Sequence, residues 1–218
     1  MCKIICVTNR HLAGEHFIQQ IETIANSGVD GIILREKDLK ESEYESLAQQ
    51  VKKICDDAGL PLYLHTYRDV ARRLGVTRLH LPLSQFLQMT AEEKKWFTEI
   101  GVSTHSPEEA KKAQQAGAAY VTAGHVFATD CKKGLAPRGI FFLENVCNSV
   151  QIPVYAIGGI SPENADSCIK AGASGICLMS SLMVAEKQEV VQIVRSLFFC
   201  TTCTNTSSKT RCIDKLFC

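Results

Sequence analysis

A chain of 218 residues, 45% of them hydrophobic, with a formal net charge of +1 excludes a disordered or fibrous polymer and carries no basic surplus for nucleic acid. No apolar run reaches the roughly 18 residues that a membrane span needs. The N-terminal MCKIICVTNRH has a short apolar run but no small-residue cleavage site, so it reads as a first strand and the expected location is cytoplasmic.

In chain order, short apolar runs predict strands near residues 3–8, 31–36, 61–66, 78–82, 100–104, 119–124, 153–158 and 175–180. They are almost continuously apolar, as strands buried on both faces of a parallel sheet should be. Segments between them have helical periodicity, and a last helix covers about 185–198. The segment between the fourth and fifth strands is the least periodic. In ANSGVDGIIL, DDAGLPLYL, RRLGVTRLHL, QQAGAAYVTAG and IKAGASGICLM a helix ends on glycine and a strand follows. Glycine suits the left-handed position after a helix. Thr90-Ala91-Glu92-Glu93 and Ser106-Pro107-Glu108-Glu109 fit capping boxes, and Ser161-Pro162-Glu163 reads as a third helix start. Eight strand–helix units predict a single-domain (β/α)8 TIM barrel over residues 1–198. An open doubly wound sheet is the runner-up. It would more often show G-x-G-x-x-G after the first strand, where this chain has Thr8-Asn9-Arg10.

Eleven cysteines without a secretory signal read as reduced thiols. Cys6, Cys168 and Cys177 sit in apolar runs and are expected in the core. Cys200 and Cys203 form a C-x-x-C, but Cys212 and Cys218 do not repeat it, so no metal is assigned. Residues 199–218 read as a mobile polar tail.

Barrels place chemistry at the C-terminal ends of their strands. There the sequence has Arg35-Glu36-Lys37, His65-Thr66, Ser103-Thr104-His105, Gly124-His125, Gly158-Gly159 and Ser180-Ser181. Loops after strands seven and eight often bind phosphate, so Gly158, Gly159, Ser180 and Ser181 are the phosphate candidates, with a plain tight turn as the alternative. Alternation puts Arg35 and Lys37 on one side and Glu36 on the other; the two cations read as an anion clamp or as a solvated ion-pair run. His125 is the candidate proton carrier, and Lys132 lies on a loop able to fold over an anion. His65 and Thr104 complete the substrate-binding candidates. His80 faces core or mouth, His105 supports a turn, and His11 and His16 read as surface residues.

LREKDL, THSPEEAKKAQQAGAAYV, PVYAIGGISPEN and GICLMSSL resemble the thiamin phosphate synthase superfamily over about residues 3–185. Synthases of that family resemble one another in an Asn-Asp pair after strand three and an aspartate after strand four, which hold magnesium. Here those positions read His65-Thr66 and His80-Leu81-Pro82-Leu83-Ser84-Gln85, while Asp69 matches a different position. GHVF-x-TDCKKGL, followed by Arg138-Gly139, looks like the signature of the thiazole tautomerase (TenI) branch. That resemblance implies an isomerase that aromatises a carboxylated dihydrothiazole ethyl phosphate. His125 would move the proton, Gly159, Ser180 and Ser181 would hold the phosphate, and Arg35, Lys37 and Lys132 would meet the carboxylate or close the loop. No metal and no cofactor are implied. The expected partner is the small-molecule thiazole phosphate, with no nucleic acid or membrane partner; a homodimer stays open. A thiamin phosphate synthase-like transferase and a non-catalytic regulator that binds a thiamin-related phosphate are the alternatives.

Overall fold

The computed structural model describes residues 2–202. Eight parallel strands close into one barrel in sequence order. They are β1 (Lys3–Val7), β2 (Gly31–Leu34), β3 (Leu62–His65), β4 (Arg78–Pro82), β5 (Glu99–Thr104), β6 (Tyr120–Gly124), β7 (Val154–Ile157) and β8 (Gly175–Leu178). Between them run α1 (Arg10–Ala13), α2 (Phe17–Ala25), α3 (Glu41–Asp57), α4 (Arg68–Arg73), α5 (Leu83–Leu87), α6 (Ala91–Lys95), α7 (Pro107–Gln115), α8 (Gly139–Ser149), α9 (Ala165–Lys170), α10 (Ser180–Met183) and α11 (Lys187–Thr202). The expected TIM barrel is therefore the observed fold. No helix among the described residues is long and apolar enough to cross a membrane.

Local chemistry explains the boundaries. Gly28, Gly59, Gly75, Gly117 and Gly172 all take positive φ where their helices stop, as the sequence pattern predicts. Thr90 and Glu93 form the reciprocal capping box of α6. At α7, Ser106 accepts from the Glu109 N–H, but the Glu109 carboxylate accepts from the N–H of His105 instead. The third expected helix start moves. Ser161 packs its hydroxyl against Glu163 and its N–H against Asn164 Oδ1, so α9 begins only at Ala165. The weakly periodic segment between β4 and β5 holds two one-turn helices, α5 and α6.

Two packed layers result. Outward-facing strand residues such as Ile4, Ile32, Leu64, Leu81, Val102, Val121 and Ile176 join the helices in the main core. Inward-facing Ile5, Val7, Ile33, Tyr63, Tyr120, Tyr155 and Cys177 fill the barrel. Glycines make room for its three tyrosines. A Cβ on Gly31, Gly101 or Gly175 would lie 3.2, 2.0 or 2.8 Å from the nearest ring atom of Tyr63, Tyr120 or Tyr155. Cys6, Cys168 and Cys177 are buried thiols, as expected. Cys203, Cys212 and Cys218 lie outside the described residues, as do the side chain of Cys200 and most of the 199–218 tail.

Candidate functional site

A cavity of about 780 Å³ opens at the C-terminal mouth of the barrel. It is lined by every candidate site residue named from the sequence: Arg35, Lys37, His65, Thr104, His125, Lys132, Gly158, Gly159, Ser180 and Ser181. Ser103, His105, Glu109, Lys112 and Cys131 line it as well.

The β1 and β2 ends aim the cations. β2 stops at Leu34 because the Arg35 N–H turns to the Thr8 hydroxyl at 2.9 Å. Thr8 in turn donates to Glu36 at 2.6 Å. Glu36 is only 2% exposed and also accepts from the Arg10 backbone N–H at 3.1 Å. With Glu36 held inward, Arg35 and Lys37 point into the cavity, as alternation predicts. Tyr44 of α3 adds a second anchor. Its hydroxyl donates to the Leu34 carbonyl at 2.7 Å and accepts from the His65 N–H at 3.0 Å.

Arg35 and Lys37 are electrostatically uncomfortable. Burial lowers the pKa of Arg35. Burial lowers that of Lys37 too, and Arg35 and Lys132 add like-charge repulsion. No side-chain hydrogen bond or ion pair neutralises Arg35, Lys37 or Lys132 among the described residues. Glu36 offsets the burial of Arg35 only in part, and three cations that share no direct side-chain ion pair form a site suited to an anion.

The histidines divide. His65 lines the cavity, with Nδ1 2.6 Å from the Thr66 hydroxyl. Burial, with His80, Arg35 and Lys37 adding repulsion, pushes its pKa down to about 2. His80 faces the barrel interior; burial, then Arg35, pushes it down to about 3. His125 sits at the rim with Nε2 3.4 Å from the Leu135 carbonyl. His105 pairs with Glu109 at 3.3 Å, and His11 with Asp38 at 2.9 Å. His11 and His16 are exposed.

The strand-six and strand-seven loops are built against each other. Val126 and Phe127 donate their N–H groups to the Ile157 and Gly158 carbonyls, both at 3.0 Å. Asn164 holds the second loop by donating to the Gly159 carbonyl at 2.9 Å. At Gly158, φ is +103°, and a Cβ would lie 2.4 Å from His125 Cβ. We expect Gly158→Ala to shift His125 and lower stability by about 1–3 kcal/mol. Gly134→Ala is the control: φ is +85° there, with nothing within 4 Å. Denaturant melts of the two variants should show the larger loss at position 158; equal losses would refute the close-packing account.

Two placements were not legible at residue level. The Thr104 hydroxyl donates to the Thr122 carbonyl at 3.0 Å, while its neighbour Ser103 bonds His80 and faces the cavity. Alternation from Gly101, which sits beneath the Tyr120 ring, carries the information that would have found Ser103.

The magnesium that the family resemblance implies for synthases is not matched by this donor set. Mg²⁺ prefers carboxylate oxygens in octahedral array. Among the described residues the one carboxylate lining the cavity is Glu109, which is engaged by the backbone and ring of His105. Among the described residues no group of three or more His, Cys, Asp or Glu side chains could hold a metal ion. Thr66, next to His65 at the end of β3, has φ 74°, an unusual conformation for a β-branched residue. Asp69 lies on α4 and pairs with Arg72 at 3.7 Å.

Fold and mouth together define a (β/α)8 barrel with a cation-lined pocket beside two glycine-rich loops. The thiamine monophosphate synthase family profile matches residues 4–182, and the chain belongs to that family. It is 35% identical to thiamine-phosphate synthase 2 of Streptococcus pneumoniae, over 86% of this chain and 90% of that protein. It is 34% identical to the thiamine-phosphate synthase of Clostridium acetobutylicum, over 85% and 89%. The structure of thiamine phosphate pyrophosphorylase from Pyrococcus furiosus superposes with a TM-score of 0.77 at 28% identity, covering 91% and 96%. The two sequence relatives are named as synthases, hence transferases, and the third as a pyrophosphorylase. That overturns the isomerase assignment drawn from the GHVFATDCKKGL loop.

Proposed function

We propose that this chain is a transferase of the thiamine-phosphate synthase type. Thiamine phosphate is a pyrimidinylmethyl group on the ring nitrogen of a thiazole that carries a phosphoester. A route releasing diphosphate forms that C–N bond from a pyrimidinylmethyl diphosphate and a thiazole phosphate. The ring nitrogen supplies the electron pair, and diphosphate leaves with the pair of the broken C–O bond.

The observation that carries this reading is that Arg35 and Lys37 after β2 and Lys132 on the loop after β6 all line the cavity, with Arg35 and Lys132 both repelling Lys37. In our reading they take the diphosphate and its growing charge. Gly158, Gly159, Ser180 and Ser181 cradle the thiazole phosphate. His125 and His65 border the reacting rings. No step is assigned to a metal, because the donor set does not fit one.

The test supplies both precursors to the purified protein and follows thiamine phosphate by mass spectrometry and diphosphate release by a coupled assay. Calorimetry with inorganic phosphate and inorganic diphosphate runs beside it. Turnover with tight anion binding is the expected result. The missing carboxylates favour one second reading, a phosphate-binding protein that transfers nothing; binding without turnover would establish it. Binding of neither anion would overturn both readings.

A further inference from the structure

Below the cavity the barrel holds a short polar column. Tyr120 is 1% exposed, and its ring occupies the space left by Gly101. Its hydroxyl has one hydrogen-bond partner among the described residues, Nδ1 of His80 at 3.0 Å. On the far side of the imidazole, Nε2 lies 2.8 Å from the Ser103 hydroxyl. Ser103 lines the cavity.

A neutral imidazole has one N–H donor and one acceptor nitrogen. Burial keeps His80 neutral, with a pKa of about 3. Two proton arrangements are then compatible with both contacts. In the first, Tyr120 donates to Nδ1, the Nε2–H donates to Ser103, and the Ser103 proton is free. In the second, Nδ1–H donates to Tyr120 and Ser103 donates to Nε2. The second leaves the Tyr120 proton without an acceptor in the barrel interior, which forfeits the hydration of a buried donor. The first leaves free only the Ser103 proton, which borders the cavity and can meet a ligand. The orientation with its cost at the cavity wins over the one with its cost in the core.

We propose that Tyr120 fixes His80 as the Nε2–H tautomer and so makes Ser103 a one-directional donor at the pocket floor. His80 and Tyr120 are positioning residues that act through Ser103. The ligand atom at this point must be an acceptor, such as a phosphate oxygen or an unprotonated ring nitrogen. The choice of ligand rests on the anion-binding reading above; the tautomer does not.

The test begins with ¹⁵N-histidine-labelled protein, whose long-range ¹H–¹⁵N spectrum distinguishes the two tautomers. The expected wild-type result is Nε2–H at His80. Tyr120→Phe should release the preference, giving a mixed or Nδ1–H ring. Affinity for inorganic diphosphate should fall by about tenfold in Tyr120→Phe and in Ser103→Ala, with little further loss in the double variant. Ser103→Ala should keep the Nε2–H tautomer, because Tyr120 and not Ser103 sets it. That spectrum decides the matter even if Tyr120→Phe fails to fold. Nδ1–H in the wild type, or a switch to Nδ1–H in Ser103→Ala, would overturn the relay. Full diphosphate affinity in Ser103→Ala would overturn the donor role. A wild type that shows Nε2–H but binds no diphosphate would remove the transferase reading and leave the tautomer assignment standing.

Discussion

Replacing Arg35 with alanine should weaken binding of inorganic diphosphate about ten- to hundredfold while leaving the fold as stable as before, or more stable. The two effects have opposite signs for one reason. In the free protein the guanidinium is half-buried near Lys37, and burial disfavours its charge. The nearby carboxylate Glu36 points away, to Thr8 and Arg10. Removing the cation relieves its desolvation and its repulsion of Lys37 and forfeits the smaller attraction of Glu36, so the net effect on the fold is small or stabilising. In the complex proposed above, the same cation would meet the ligand's highest charge density. A hydrogen bond to a charged group contributes about 1.5–3 kcal/mol, so affinity should fall about ten- to hundredfold. Arg35→Lys should recover only part of it, since an ammonium lacks the bidentate fork. Calorimetry measures the affinity, and thermal melts measure both effects together. At diphosphate about 100-fold above its Kd, wild type should gain about 3 kcal/mol and the alanine variant much less. A variant that loses stability but keeps its affinity would mean that Arg35 is a structural cation and the anion sits elsewhere.

The barrel was legible because its signals are local and repeated. Five helices that end on a positive-φ glycine, each followed by an apolar run, leave few architectures open. The mouth was legible by alternation, which sorted Arg35 and Lys37 from Glu36 correctly. Alternation was not applied at β5, where Thr104 was named as a candidate and Ser103 was not, although both line the cavity. The interior roles of His80 and Tyr120 depend on three strands meeting across the barrel, and no local pattern encodes that. The isomerase reading failed for a different reason. Much of GHVFATDCKKGL is specified by packing and not by chemistry. Gly124 has no room for a Cβ, which would lie 2.3 Å from the Ile157 carbonyl oxygen. Val126 is fully buried, and Gly134 takes positive φ. The positions left to meet a ligand, His125, Cys131 and Lys132 among them, suit more than one reaction at a barrel mouth.

Acidification should unfold this protein through two interior histidines. Lowering the pH from about 7 to about 5 should cost the fold about 4 kcal/mol. In the unfolded chain His65 and His80 take up protons below about pH 6.5. In the folded protein burial holds their pKa values down to about 2 and about 3, so both stay neutral through that range. Over that window the unfolded state binds more protons, so stability is full above about pH 6.5 and falls as the pH drops. Each histidine contributes about 2 kcal/mol at about pH 5, and the loss continues to about pH 3, where His80 protonates inside the fold. Denaturant melts across the range measure the slope, which should approach two protons per molecule near pH 5. A His65→Asn, His80→Gln double variant will be less stable overall, but its slope is the readout, and it should be flatter by about two protons. The same slope in both proteins would place the acid sensitivity in other groups. A wild type indifferent to pH between about 7 and 5 would show that the two imidazoles reach solvent, and the neutral His80 on which the Ser103 relay depends would fall with it.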